Sequence, residues 1–298
     1  TELYRHIGED TDVPAGDIGV GAREIGYMFG QYKRITNKFV GVLTGKGLEF
    51  GGSQMRTEAT GYGAIFFLRS MLEQHQAHIQ DKRVLISGSG NVATHAAEKV
   101  LHLGGTPLTL SDSGGFIYCS DGLTQEQIDW VKDLKSVRRG RIHETAEEFS
   151  NITFHEKERP WGVEADCAVP SATQNEINGE DAAVLIKNGI KAVAEAANMP
   201  CEQEAVDAFT SANVLFGPAK AVNAGGVGVS GLEMSQNSGR ISWDPERLRE
   251  LLENMMRDIH DSCVEYGKTD DGPVNYLAGA NIAGFVKVAD AMLSYGHV

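Results

Sequence analysis

The six residues from Gly88 to Ala93, GSGNVA, have the spacing of a loop that holds a dinucleotide. They follow an apolar run, RVLIS, and open a helical pattern, which is the context such a loop requires. Gly88 permits a tight turn, Gly90 lets the backbone approach a pyrophosphate, and Ala93 allows close packing on a sheet. Asn91 and Val92 begin the helix, whose free amides attract anions. A glycine-rich connection without a ligand is the plainer alternative. The next apolar run ends in Ser111-Asp112, roughly twenty residues later, where an acidic side chain takes ribose hydroxyls and favours NAD. Yet Ser111, Asp112 and Ser113 are all short hydrogen-bonding groups. Lys135, Arg138, Arg139 and Arg141 form a basic stretch able to face a 2′-phosphate, although a solvated helix face explains the same run. Spacing alone leaves NAD and NADP both open.

Further polar residues follow three more apolar runs: Ser171, Thr173 and Asn175 after DCAVP, Asn198 after IKAVAEA, and Asn223 after NVLFGP. All can hydrogen-bond an amide or a ribose, and all can also serve as loop caps or turn formers. Asp17, in VPAGDIG, is an acid among small neighbours on a loop and is able to carry protons. An ordinary exposed aspartate is the alternative, and the residues by themselves go no further.

The elements that must position these groups follow from punctuation by glycine and proline. RVLIS, a glycine turn, the helical VATHAAEKVLHLG and then PLTLS spell strand, helix, parallel strand. With the three later runs this predicts an α/β fold, a Rossmann-type doubly wound and mostly parallel sheet whose carboxyl edge binds ligands. Asp12 to Gly21 reads as a fixed loop, AREIGYMFGQYKRI as a helix, and the opening TELYRHIGED as a helical run. Asp244-Pro245 is an N-cap and first-turn pair for a helix with Leu248, Leu251, Leu252, Met255 and Ile259 on one face. A last helix runs from about Ile282 to Leu293.

At 298 residues, with 41% hydrophobic and 23% charged residues, the chain is expected to be globular and to form two domains. A net charge of -14 disfavours nucleic acid and anionic membranes as partners. Apolar stretches such as AAVLIKNGIKAVAEAA are broken by lysines, so no membrane segment is expected. Cys119, Cys167, Cys201 and Cys263 lack zinc-ligand spacing. They are expected to be reduced, buried thiols in a cytoplasmic protein that binds no metal. The start at Thr1, without methionine or signal pattern, leads to the expectation of a removed upstream segment.

Nearly the whole chain resembles the hexameric glutamate dehydrogenases, especially the small bacterial and fungal NADP-linked form. The blocks that carry the resemblance are DTDVPAGDIGVGAREIGYM, LTGKGLEFGGSQMRTEATGYG, SGSGNVATHAAEKV, PSATQNEI, VAEAANMP, KAVNAGGVGVSGLEMSQN and ANIAGFVKVADAML. The resemblance implies that Asp17 shuttles protons and that Gly16 offers a backbone contact to substrate. It implies that Ser230 binds the distal carboxylate and that Thr60 and Asn91 contact the cofactor. It favours NADP over NAD through Ser111-Asp112-Ser113. The implied reaction is reversible: 2-oxoglutarate, ammonium and NADPH give L-glutamate. It also implies a homohexamer for the complete protein, a substrate domain at residues 1–52 rejoined by about 276–298, and a dinucleotide domain at 53–275. A lysine upstream shares the proton work in the family, so little or no activity is expected of these 298 residues alone. The rival expectations are a leucine, phenylalanine or valine dehydrogenase with an apolar pocket, an NADP-binding module without catalysis, and a piece whose uncovered face promotes aggregation.

Overall fold

The computed structural model describes residues 1–17, 19–269 and 272–296. Its strands are β1 (Arg83–Ile86), β2 (Thr106–Pro107), β3 (Thr109–Asp112), β4 (Gly115–Tyr118), β5 (Thr153–Glu156), β6 (Cys167–Val169), β7 (Ala192–Ala194) and β8 (Leu215–Gly217). Five form one parallel sheet in the order β2-β1-β6-β7-β8. Strands β6 and β7 are wholly buried, which is why they read as continuous apolar runs and do not alternate. The order reverses at β1, whose neighbours β2 and β6 lie on opposite sides, and ligand crevices form at such a point. The chain from β2 continues past Leu108 into β3, which begins an antiparallel ribbon in the order β3-β4-β5 that the sequence pattern did not announce.

The helices are α1 (Ala22–Thr36), α2 (Ala59–Gln74), α3 (Asn91–His102), α4 (Gln125–Asp133), α5 (Glu144–Glu148), α6 (Gly179–Lys187), α7 (Gln203–Ser211), α8 (Ala219–Val222), α9 (Ala224–Gly239), α10 (Pro245–Gly267) and α11 (Tyr276–Tyr295). Helix α2 is buried nearly all round and packs on α3, α9 and α10. Two of these crossings are set by glycine. A Cβ on Gly61 would lie 2.5 Å from the Val92 carbonyl oxygen of α3, and one on Gly225 would lie 2.4 Å from that of Ala59. Residues 1–50 pack a separate small core of Ile25, Phe29, Tyr32, Val42 and Leu43, with Phe29 stacked on Phe50 at 5.2 Å between centroids.

Three elements depart from the sequence pattern. TELYRHIGED forms only a 3₁₀ turn at Glu2–Arg5, with no buried residue, because a short isolated helix lacks packing to repay its nucleation. Asp244 caps α10 as expected, its Oδ1 accepting from the Arg247 amide at 2.9 Å. The buried stripe of α10 is Leu248, Leu252, Met256, His260 and Cys263, however, so Leu251, Met255 and Ile259 flank the stripe. Helix α11 starts earlier than expected, at Tyr276, because the Asn275 side chain caps it by accepting from the Ala278 amide. Among the described helices α11 alone is long and apolar enough to cross a membrane, by length and composition only. Lys287 and Asp290 lie within it. Its Gly279 packs so closely on α10 that a Cβ would lie 2.0 Å from the Cys263 carbonyl oxygen.

Candidate functional site

Beyond the carboxyl end of β1 the chain makes a cradle. Gly88 sits at φ +82, and a Cβ there would lie 2.9 Å from the Ser171 carbonyl oxygen, so only glycine fits this turn. The Gly88 amide donates to Ser111 Oγ at 2.8 Å, and the Ser111 amide donates back to the Gly88 carbonyl at 2.9 Å. Ser111 is buried and braces the loop. Gly90 is the N-cap of α3 and offers no side-chain cap, and a Cβ built on it would meet nothing within 4 Å. The first-turn amides at Asn91 and Val92 therefore open onto free space, as a pyrophosphate requires. Gly61 brings α2 against Val92, and the preceding Thr60 turns its Oγ1 toward α9, where a Cβ on Gly226 would lie 2.3 Å away.

Asp112, at the end of β3, does not wait free for a ribose. Its carboxylate accepts from the amides of Gly114 (2.8 Å) and Ile142 (3.0 Å), from Arg141 Nη2 (3.1 Å) and from Lys135 Nζ (3.4 Å). Burial alone would raise its pKa. The two amide bonds and the two cations outweigh that and hold it below the ordinary carboxylate value. Arg141 Nη2 also donates to Ser113 Oγ at 2.9 Å. The basic stretch thus splits. Lys135 and Arg141 converge on Asp112, while Arg138 turns away to Asp133 (2.8 Å) and lies over the Trp130 ring at 4.3 Å.

The polar loop residues divide in the same way between bracing and exposure. Ser171 is buried, its amide donating to Ser87 Oγ and its hydroxyl to the Val169 carbonyl. Thr173 and Asn175 are exposed on a turn held by Glu176, whose Oε1 accepts from the Ala172 and Thr173 amides. Burial pushes the Glu176 carboxyl up in spite of those bonds. Asn175 takes the left-handed conformation, φ 56. Asn223 Nδ2 donates to Asn198 Oδ1 at 2.8 Å, which joins the loops after β7 and β8. Behind them the buried Glu195 accepts from the Cys201 and Ala219 amides, and burial raises its carboxyl also.

Next to this edge lies a cavity of about 400 Å³ lined by Gly16, Thr44, Arg56, Asn198, Asn223 and Ser230, among others. Asp17 follows Gly16 in the chain and is exposed, its carbonyl accepting from the Val20 amide at 2.8 Å. Ser230 is buried on α9. Its Oγ accepts from Arg56 Nε at 2.9 Å and lies 3.1 Å from Thr44 Oγ1. Arg56 can only donate, and two hydroxyls that share one bond leave one O–H proton over, whichever of them donates. That proton and the remaining guanidinium donors have the cavity to point into. Burial lowers the pKa of Arg56, and the nearby Glu233 partly offsets the effect. A cation that makes no salt bridge among the described residues, set beside hydroxyl donors, is a wall suited to a carboxylate.

The resemblance in sequence pointed to Gly16 and Ser230 but not to Thr44, Arg56 or, beside them, the buried ion pair of Lys46 with Glu233. The signal lay in LTGKGLEFGGSQMRTEATGYG, where the run's cations stand among glycines, but nothing local says that they meet α9.

Comparison with known proteins follows the same outline. Residues 51–296 match the family described as Glutamate/Leucine/Phenylalanine/Valine dehydrogenase, and residues 1–34 match the Glu/Leu/Phe/Val dehydrogenase dimerisation domain. An NAD(P)-specific glutamate dehydrogenase of Xylanibacter ruminicola is 56% identical over 99% of this chain and 66% of its own length. An NADP-specific glutamate dehydrogenase of Salmonella typhimurium is 53% identical over 100% of this chain and 66% of its own. The solved structure of Plasmodium falciparum glutamate dehydrogenase superposes with a TM-score of 0.97 at 47% identity, covering 100% of this chain and 64% of that one. The chain thus spans about two thirds of the length of the relatives it matches.

Proposed function

The chain belongs to the glutamate/leucine/phenylalanine/valine dehydrogenase family, and from that premise we propose that its cleft interconverts L-glutamate with 2-oxoglutarate and ammonium, using NADP. The observation that carries this reading is the Arg56–Ser230–Thr44 wall. A leucine, phenylalanine or valine side chain has nothing to offer a partly buried guanidinium, whereas a distal carboxylate neutralises it. Each charge-assisted bond of this kind is worth about 1.5–3 kcal/mol.

The cradle fits a nicotinamide dinucleotide: Gly90 leaves its backbone bare, α3 presents uncapped amides, and Thr60 lies on the adjoining α2, next to the Gly61 that touches α3. When bound, the nicotinamide supplies or takes up the hydride. Asn198 and Asn223, joined to each other, orient an amide or ribose at the far edge. Gly16 holds the substrate through its backbone, and Asp17 exchanges protons with the substrate nitrogen from the exposed loop. NADP is favoured over NAD because Asp112 is already engaged by four donors, while Arg141 and Ser113 stand together where a 2′-phosphate would add. The names of relatives support use of either cofactor. The dimerisation-domain match at residues 1–34 supports self-association. A homohexamer in the cytoplasm is the assembly we propose for the complete protein.

Steady-state turnover of the full-length protein on 2-oxoglutarate and on 4-methyl-2-oxopentanoate tests the reading. Efficient use of the first and poor use of the second is expected, and the reverse order would transfer the protein to the branched-chain branch of the family.

A further inference from the structure

Helix α9 turns one face to the segment that joins α1 to α2. From that face Ser230 meets Thr44, Glu233 accepts from the Gly45 (3.0 Å) and Lys46 (3.4 Å) amides, and Asn237 Nδ2 donates to the Gly51 carbonyl (2.6 Å). At the centre is an ion pair, Lys46 Nζ to Glu233 Oε1 at 2.6 Å, with the two side chains 1% and 0% exposed. Lys46 Nζ also donates to the Leu43 carbonyl. Leu43 is buried and held at φ +66, a left-handed conformation that is strained for a non-glycine residue. The backbone on both sides of Thr44 is therefore gripped by one pair, against its own preference. The restraint continues outward, because the Thr44 amide donates to the Pro14 carbonyl at 2.9 Å and Ala15 bridges to Thr44 just before Gly16 and Asp17.

Neither Lys46 nor Glu233 is among the residues that line the cavity, whereas Thr44, Gly16 and Ser230 are. Stability does not explain the pair well, since well-packed apolar residues commonly replace buried ion pairs without loss. Positioning does explain it. We propose that Lys46 and Glu233 are positioning residues that fix Thr44 and Gly16 against Ser230, and so set how sharply the pocket distinguishes a 2-oxo acid with a distal carboxylate from one without. The inference rests on the distal-carboxylate reading of the pocket given above.

The test uses the full-length protein and the variants Lys46→Met and Glu233→Asp, the latter keeping the charge but withdrawing it from Gly45. For each, kcat and KM are measured on 2-oxoglutarate and 2-oxopentanoate, together with the NADPH Kd and the thermal midpoint. In Lys46→Met the ratio of kcat/KM values for the two acids should fall by about tenfold or more, chiefly through KM for 2-oxoglutarate, while the NADPH Kd stays within about twofold. Glu233→Asp should lower the same ratio by a smaller factor. A folded Lys46→Met that keeps the parent ratio overturns the proposal. If Lys46→Met does not fold, a parent-like ratio in Glu233→Asp overturns it equally. A parent protein that fails to distinguish the two acids refutes the pocket reading itself, a failure visible before any variant is made.

Discussion

Replacing Arg141 with alanine should weaken binding of NADPH and leave that of NADH nearly unchanged. Arg141 Nη2 lies 3.1 Å from Asp112 Oδ1 and 2.9 Å from Ser113 Oγ, so its guanidinium is anchored at the end of β3 and still has donors to spare. A charge-assisted bond is worth about 1.5–3 kcal/mol when desolvated. The Arg141 side chain is 49% exposed, and screening reduces the expectation to about 1–2 kcal/mol, or about a five- to thirtyfold rise in NADPH Kd. The assay is equilibrium titration by nicotinamide fluorescence at fixed ionic strength, with NADPH and NADH measured separately. Arg138→Ala is the control: its guanidinium is turned to Asp133 and Trp130, so both affinities should stay within about twofold. Equal loss of NADPH and NADH affinity in Arg141→Ala, or tighter NADH binding by the parent protein, would refute the assignment of this corner to a 2′-phosphate.

Two other perturbations read the scaffold. Gly61→Ala places a Cβ 2.5 Å from the Val92 carbonyl oxygen and 2.7 Å from the Ala96 amide nitrogen. It should cost about 1–3 kcal/mol in urea unfolding and weaken both cofactors together, since it pushes α2 and Thr60 away from the first turn of α3. Glu98 would be raised by burial, but bonds from Lys132 and Tyr62 draw it down to about 2 from an ordinary 4.5. A carboxyl depressed in the folded state contributes stability that is complete above its unfolded value and is lost as pH falls toward its folded value. Unfolding free energies should therefore show Glu98→Gln less stable by about 1–2 kcal/mol near neutrality, after allowance for screening, with the difference shrinking between about pH 4.5 and 2. A difference that grows on acidification would contradict the sign.

Local features of the fold were legible because local chemistry dictates them. Gly88 had to be glycine for its positive φ, Asp244-Pro245 had to start a helix, and continuous apolar runs had to be buried strands. The cofactor edge was half legible. Its acid could be found by counting residues, but the role of that acid is decided by Gly114, Lys135, Arg141 and Ile142, which no spacing rule connects to it. The cavity beside α9 was least legible. Arg56 and Ser230 are 174 residues apart, and Lys46 and Glu233 are 187 apart. Buried cations on a glycine-rich segment look like surface charges until α9 is laid across them. Resemblance supplied Ser230 and Asp17, but not the arginine that donates to Ser230.

The most direct test of the central claim, that this pocket reads a distal carboxylate, is kcat/KM of full-length parent and Ser230→Ala proteins on 2-oxoglutarate and 2-oxopentanoate. Removing the hydroxyl takes one donor from the carboxylate and one partner from Arg56 Nε. The dicarboxylate should lose about ten- to hundredfold and the monocarboxylate less than about threefold. Equal losses on the two acids would contradict the claim.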